Sequence, residues 1–217
     1  MSLAAAAAEH EPLFAVDIFD SQELNEDGSG RSSLKKFQEN LEFLNVSHTN
    51  LLKSLSTQVN SRMLAKSCGA PIRFVSVDGG HTRLTTCHDL NLVQSNLLPH
   101  GIVVVDDVTC CDKEAWSLGV IDGLSLFFSS FQDLEPFLYV RPKLFLARQS
   151  SAPLFRDFLL KHSKLEELLH FQDARFEYGK IKHHSRFTLF GGEIVQNSIL
   201  ANQSSVVKAW LDSLDLH

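Results

Sequence analysis

Three acidic residues and one histidine lie directly after two apolar runs of the chain. Asp78 follows the first run, Asp106 and Asp107 follow the second, and His81 comes shortly after Asp78, beyond two glycines. Clustered carboxylates repel one another, and a divalent cation relieves that repulsion. Oxygen ligands favour Mg²⁺ or a similar hard ion over zinc. An imidazole with an ordinary pKa of about 6.5 can take a proton from a hydroxyl at neutral pH. These residues therefore predict a cation site with a histidine beside it.

The two apolar runs are predicted to be neighbouring strands of a parallel sheet. Ile72–Val77 and Ile102–Val105 are short and rich in β-branched residues, which is typical of buried strands. The stretch Thr82–Leu97 between them has a helical pattern and would connect them right-handedly. Adjacent strands lie about 4.8 Å apart, and ligands bind outside the carboxyl ends of such strands. The acidic residues are therefore expected to lie close enough to share one cation.

Each of these residues also has a structural interpretation. Acidic residues at strand ends often cap the next helix, and Asp106 or Asp107 could do so. His81 could be an exposed turn residue. The occurrence of the acid–Gly-Gly–His turn and of the double acid at two consecutive strand ends is what favours a functional site.

The rest of the pattern alternates strands with helices. This alternation indicates an α/β fold with a mainly parallel sheet, helices on both faces and an antiparallel C-terminal hairpin. Residues 1–12 are expected to be disordered or frayed, and residues 13–217 to form a single domain. The other predicted elements are a strand at Leu13–Phe19, an amphipathic helix through Leu34, Phe37, Leu41 and Leu44, helices at about 49–66 and 113–129, strands at Phe137–Val140 and Lys143–Ala147, a helix at Leu154–Phe171, a hairpin around Gly191-Gly192 and a helix at Val206–Leu214.

Composition narrows the classes of function. The 217 residues are 44% hydrophobic and 21% charged, which is ordinary for a folded soluble protein. The net charge of −6 argues against a general surface for nucleic acid or anionic membranes. The apolar runs are too short to cross a bilayer, and the N-terminus lacks the features of a secretory signal. The four cysteines match no zinc spacing and are interpreted as reduced thiols. We expect a cytoplasmic protein that binds neither nucleic acid nor a membrane, and the sequence does not indicate an oligomeric state.

The stretch Phe74–Val108 resembles the class I S-adenosylmethionine-dependent methyltransferases, especially the family 24 and macrocin-type O-methyltransferases. The shared pattern is a strand, D-G-x-H, a helix with D-L, a glycine turn, an apolar strand and an acidic pair. This chain supplies it with Asp78-Gly79-Gly80-His81, Asp89-Leu90, Gly101 and Asp106-Asp107. The resemblance implies a Rossmann-like fold in which Asp78, Asp106 and Asp107 hold a magnesium ion and His81 acts as the base.

The upstream stretch Phe14–Gly30 resembles the second strand and polar loop of the same group. The resemblance implies that Asp17, with Asp20 as a weaker substitute, binds the ribose hydroxyls of the cosubstrate. Asp78 is predicted to face the cosubstrate as well as the cation. The family's first strand and its G-x-G loop have no counterpart before Leu13, and the G-x-G at residues 28–30 is a weak substitute.

Three functions remain open from the sequence. The first is methyl transfer from S-adenosylmethionine to a hydroxyl of a small polar acceptor, assisted by a divalent cation. The second is a truncated or degenerate methyltransferase-like domain that binds without catalysis, suggested by the missing glycine loop. The third is a metal-dependent hydrolase that uses the same acids, although the chain has neither a G-x-S-x-G elbow nor a P-loop.

Overall fold

The computed structural model describes residues 11–28, 30–46, 49–108, 116–130, 132–140, 142–161, 184–189 and 192–197. None of the helices in these ranges has the length and apolarity that a bilayer crossing requires. Two 3-10 helices occur, at Gln22–Leu24 and Ser56–Gln58. The main elements are β1 (Leu13–Asp17), α1 (Leu34–Phe43), β2 (Thr49–Lys53), α2 (Ser61–Cys68), β3 (Ile72–Val77), α3 (Arg83–Gln94), β4 (Leu97–Val105), α4 (Trp116–Phe128), β5 (Leu134–Val140), β6 (Lys143–Arg148), α5 (Ala152–Lys161), β7 (His184–Leu189) and β8 (Gly192–Asn197).

The strands of the described residues form two sheets. Six of them pair in the order β3-β4-β6-β5-β8-β7, and β1 and β2 form a separate two-stranded sheet. The pairs β1–β2, β3–β4 and β5–β8 are parallel, and the pairs that involve β6 or β7 are antiparallel. The predicted α/β class, the adjacent β3 and β4 and the C-terminal hairpin are therefore confirmed.

The core lies where α3 and α4 cover the strands β3, β4 and β6. Leu90 on α3, Leu124 and Phe127 on α4, and Leu144 and Leu146 on β6 are completely buried. The last three valines of β4 are almost as buried, which is typical of a strand with both faces covered. This apolar interior fixes β3 and β4, whose carboxyl ends carry the predicted site.

Two glycines on α4 allow it to approach α3 closely. A Cβ atom at Gly119 would lie 2.0 Å from the main-chain oxygen of His81, and one at Gly123 would lie 2.5 Å from Cβ of Thr86. No other residue type fits either position without moving a helix. The start of α4 therefore fixes the backbone position of His81.

The predicted helix at about 49–66 is wrong in its first half. Leu51 and Leu52 lie in β2, where Leu51 pairs with Ala15 of β1. The helix α2 begins only after Asn60, whose side chain accepts a hydrogen bond from the main-chain N–H of Met63 at 3.0 Å. The leucine spacing fits a helix as well as a strand, and pairing with the distant β1 decides between them.

The small sheet joins the core without joining the large sheet. Phe14 and Val16 of β1 and Leu52 of β2 pack against the main hydrophobic cluster. Glu11 forms a two-pronged ion pair with Arg73 of β3, at 2.5 and 2.6 Å. The expected disordered segment 1–12, except for residues 11 and 12, and the predicted helix at 206–214 lie outside the described residues, so the single domain 13–217 stays a prediction.

Candidate functional site at the carboxyl ends of two strands

Asp78, His81 and Asp107 converge where β3 and β4 end. One ligand atom from each of the three side chains lies within 4.8 Å of those of the other two. This proximity follows from the strand pairing, in which Val77 lies opposite Val105. Asp78 is exposed, whereas Asp107 and His81 are half-buried. His81 is thus not the exposed turn residue of the structural interpretation.

Asp107 has a left-handed backbone, with a φ of 55°. This region is uncommon for a residue other than glycine. The main-chain N–H of Asp107 donates to Oδ1 of Asp106 at 2.9 Å, and its own Oδ2 lies 2.9 Å from Nε2 of His81. The next described helix begins at Trp116, so neither aspartate adjoins it as a cap. The strained turn directs the Asp107 carboxylate toward the histidine.

Asp106 lies outside this cluster and contacts a lysine instead. Its Oδ2 accepts a hydrogen bond from Nζ of Lys143, and the Asp106 side chain is only 14% exposed. Lys143 is the first residue of β6, which runs antiparallel to β4 and pairs Leu144 with Val105. Sequence reasoning missed this lysine because it lies 37 residues further along the chain. Lys143 would therefore compete with a metal ion for the Asp106 carboxylate.

Asp27 is a second residue that sequence reasoning missed. Its Oδ2 accepts hydrogen bonds from the main-chain N–H of His81 at 2.6 Å and from ring atom Nδ1 at 2.9 Å. The residue lies in the polar loop between β1 and α1, where Gly28 donates its main-chain N–H to Oδ1 of Asn25 at 3.1 Å. The resemblance of this loop to the family's polar loop was the only signal that could have pointed to it.

A small cavity opens beside the cluster. Asp89, the acid of the D-L pair on α3, is 7% exposed, and its Oδ1 has no hydrogen-bond partner among the described residues. Burial raises the pKa of Asp89 to about 6, partly offset by a hydrogen bond from Ser56. A Cβ atom at Gly79 would lie 3.0 Å from Oδ2 of Asp89, so the glycine leaves room for this carboxyl group. The cavity is lined by Val77, Asp78, Gly79, Gly80, His81, Thr86, Asp89, Val105, Asp106 and Val120.

The carboxylates at this site carry more negative charge than the neighbouring Lys143 and His81 balance. Although Asp78 as a whole residue is exposed, partial loss of water contact at its carboxyl group raises its pKa, and the charges of Asp106 and Asp107 raise it further. Lys143 and His81 oppose this rise without cancelling it. Repulsion between carboxylates is thus still present at this edge of the sheet.

Asp17 lies at the carboxyl end of β1 and apart from the cluster. Its Oδ1 accepts hydrogen bonds from the main-chain N–H of Phe19 at 2.5 Å and from the hydroxyl of Ser32 at 2.8 Å. Asp20, the weaker substitute, is exposed and accepts a hydrogen bond from the N–H of Leu34, the first residue of α1, at 3.3 Å. The half-buried Asp17 therefore shapes the loop that also carries Asp27.

Comparison with solved structures finds methyltransferases of low sequence identity. A protein named as a candidate rRNA methylase from Clostridium thermocellum is 16% identical with a TM-score of 0.46, over 66% of this chain and 77% of that chain. CalS11, the TDP-rhamnose 3′-O-methyltransferase of calicheamicin biosynthesis, is 17% identical with a TM-score of 0.47, over 68% of this chain and 66% of that chain. An rRNA methylase from Streptococcus thermophilus is 14% identical with a TM-score of 0.41, over 67% and 91%.

The family comparison identifies the chain at the level of sequence. No curated protein matches it significantly. A family model described as a methyltransferase domain matches residues 1–108. This match includes β1 to β4, and with them the acidic strand ends and His81. The resemblance of the chain to the class I methyltransferases is therefore confirmed over residues 1–108.

Proposed function

We propose that the protein transfers a methyl group from S-adenosylmethionine to a hydroxyl group of a small polar acceptor, with a divalent cation at Asp78 and Asp107. The observation that carries this proposal is the convergence of Asp78, His81 and Asp107 within 4.8 Å, inside the part of the chain that matches the methyltransferase family. The net charge of −6 favours a small acceptor over RNA.

The residues present fit a hard divalent cation. Opposite oxygen ligands of one Mg²⁺ ion lie about 4.2 Å apart, because each bond is about 2.1 Å long. The three ligand atoms of the cluster all lie within 4.8 Å of one another. Loss of water contact raises the pKa of Asp78 most, and the charges of Asp106 and Asp107 raise it further; a cation would relieve this second contribution. When bound, the ion would lower the pKa of the acceptor hydroxyl and help to hold the acceptor.

His81 is proposed as the base that takes the hydroxyl proton. Its Nδ1 is occupied by Asp27, so Nε2 is the ring nitrogen that faces the acidic cluster. In the present geometry Nε2 is hydrogen-bonded to Asp107. With the Asp107 carboxylate engaged in cation binding, Nε2 of the neutral ring would accept the proton of the acceptor hydroxyl.

Asp106 is proposed to shape the site together with Lys143. Its two oxygens contact the Lys143 ammonium and the main-chain N–H of Asp107. These contacts hold the left-handed turn that aims Asp107 at the cluster. Asp106 would serve as a third cation ligand only after its hydrogen bond with Lys143 is broken.

Asp17 is proposed to bind the ribose of the cosubstrate. It stands at the carboxyl end of a parallel strand, where an acidic residue accepts two ribose hydroxyls in dinucleotide-binding folds. Its Oδ1 is already bonded within the loop, so Oδ2 is the oxygen assigned to the ribose.

Calorimetric titration with S-adenosylmethionine tests the proposal against the non-catalytic alternative. We expect binding tighter than about 100 μM, which corresponds to roughly 5.5 kcal/mol. An Asp17→Ala variant should weaken it, whereas a Glu23→Ala variant in the same loop should not. Absence of binding to the wild-type protein would favour a degenerate binding domain, an alternative supported by the separation of β1 and β2 from the large sheet.

A further inference from the structure

Lys143 bonds to a carboxylate that lies beside the acidic cluster without belonging to it. Asp78 and Asp107 each contribute a ligand atom to that cluster. Nζ of Lys143 instead donates a hydrogen bond to Oδ2 of Asp106, which lines the same cavity as Asp78. Burial raises the pKa of Asp78 most, and among the neighbouring charges Asp106 raises it most. The Asp106 carboxylate is therefore within electrostatic reach of a cation at Asp78.

Both carboxylate oxygens of Asp106 have hydrogen-bond donors in the structure. Oδ1 accepts from the main-chain N–H of Asp107 at 2.9 Å, and Oδ2 accepts from Lys143. The side chains of Asp106 and Lys143 are 14% and 36% exposed. Partial shielding from water and salt strengthens the attraction between opposite charges. A metal ion that took Oδ2 as a ligand would have to displace the ammonium group.

Backbone contacts hold Lys143 at this position. Lys143 begins β6, which runs antiparallel to β4 and pairs with it up to Val105, the residue before Asp106. The main-chain N–H of Val108 also donates to the carbonyl oxygen of Pro142 at 3.0 Å. The chain is thus fixed on both sides of the ion pair. Lys143 is therefore a permanent neighbour of the acidic strand ends.

We propose that Lys143 keeps Asp106 out of the coordination of the divalent cation and so sets the affinity of the site for that cation. The inference rests on the proposed cation at Asp78 and Asp107. The affinity of an oxygen site for a divalent cation depends on the number of charged ligands. Two carboxylates are then left for the ion, and the ammonium group neutralises the third. The cation is expected to bind more weakly than it would with all three carboxylates as ligands.

Binding of Mn²⁺ to the protein, followed by the electron paramagnetic resonance signal of the free ion, tests the inference. Mn²⁺ shares the preference of Mg²⁺ for oxygen ligands. Lys143→Met frees Oδ2 of Asp106 and removes a positive charge, so we expect at least about tenfold tighter binding. Lys143→Gln keeps a hydrogen-bond donor without the charge and should also bind Mn²⁺ more tightly. It serves as the test if the methionine variant does not fold.

A double variant separates coordination from net charge. Asp106→Asn combined with Lys143→Met replaces an ion pair by two neutral side chains and leaves the net charge unchanged. If Asp106 is not a ligand, this protein should bind Mn²⁺ within about threefold of the wild type. A loss of about tenfold or more would show that Asp106 is a ligand and would overturn the proposal.

Lys66→Met is the matched control for the loss of one positive charge. Lys66 is exposed in the last turn of α2, which precedes the start of β3, whereas Asp78 follows the end of that strand. This variant should leave the affinity for Mn²⁺ unchanged. A gain as large as that of Lys143→Met would show a general charge effect and would also overturn the proposal.

The same titrations distinguish this inference from the proposed function. Equal affinities of the wild type and both Lys143 variants would overturn the inference while the proposed cation stays. Binding by the Lys143 variants but not by the wild type would support the inference and remove the cation from the proposed function. If no protein binds Mn²⁺, the inference fails, whereas titration with S-adenosylmethionine still decides whether the methyl donor binds.

Discussion

Two residues at this site, Asp107 and Asp89, are kept in energetically unfavourable states by the structure around them. Asp107 keeps a left-handed backbone conformation, and Asp89 keeps a carboxyl group in the interior beside the same cavity. Strain and buried charge of this kind are costly and often occur at functional sites. Their cost can be measured residue by residue, independently of any activity.

The backbone strain at Asp107 predicts a difference between two truncations. Asp107→Gly and Asp107→Ala both remove the carboxylate, but only glycine adopts a φ of 55° without penalty. We expect the glycine variant to be more stable to urea by about 1 kcal/mol. Equal free energies of unfolding would mean that the turn relaxes once the contact with His81 is lost.

Asp89 predicts a pH dependence of stability. Its pKa is about 6 in the folded protein against 3.8 ordinarily, so between these values the folded state binds more protons than the unfolded state. The wild-type protein therefore loses stability as pH rises through this window, and the loss is complete above pH 6. Relative to Asp89→Asn, the loss should reach about 3 kcal/mol. Urea unfolding of both proteins from pH 4 to 8 measures it, and a pH-independent difference would contradict the assignment.

His81 is where loss of turnover should be largest. His81→Ala should abolish methyl transfer, measured with labelled S-adenosylmethionine, because no other described imidazole reaches the acidic cluster. His100→Ala is the matched control, since its ring contacts Ser151 at 2.9 Å. Unchanged turnover in His81→Ala would rule out the base.

At the scale of elements, the sequence predicted the strands and helices whose positions depend on nearby residues. The strands β3 and β4 and the helix between them were predictable because their apolar periods are strong and their ends are marked by glycines and acids. The strand β2 was misassigned because its leucines also fit a helix, and its partner β1 lies far along the chain. Asp27 and Lys143 were missed for the same reason: their contacts span 54 and 37 residues.

The close packing of α3 and α4 predicts the effect of one added methyl group. Gly119→Ala should destabilise the protein by about 1–3 kcal/mol, as overpacking does, because its Cβ would meet the His81 carbonyl oxygen. Alanine otherwise favours a helix over glycine by about 1 kcal/mol, so a net loss reports the clash. Gly80→Ala is the control, since the nearest atom to its Cβ would be 3.7 Å away. Thermal unfolding compares them, and a stabilised Gly119→Ala protein would contradict the packing.

At the scale of the whole molecule, the division into two sheets predicts uneven stability. A two-stranded sheet has little independent stability, and β1 and β2 depend on core contacts, the Glu11–Arg73 ion pair and the Asp27–His81 hydrogen bonds. The central strand β4 is paired on both sides. Hydrogen exchange followed by mass spectrometry should show faster exchange in peptides from β1 and β2 than in those from β4. Equal protection would indicate that all eight strands open together.

The antiparallel direction of β6 affects the charge at the edge of the sheet where β3 and β4 end. Parallel strands present their last residues at this edge, whereas an antiparallel neighbour presents its first, and here that residue is Lys143. Lys143 is thus a covalently attached positive charge among the acidic residues. It neutralises part of the negative charge that a free cation would otherwise neutralise alone. A substitution of Lys143 should therefore change the affinity of this edge of the sheet for cations or for anionic acceptors without changing any acidic residue.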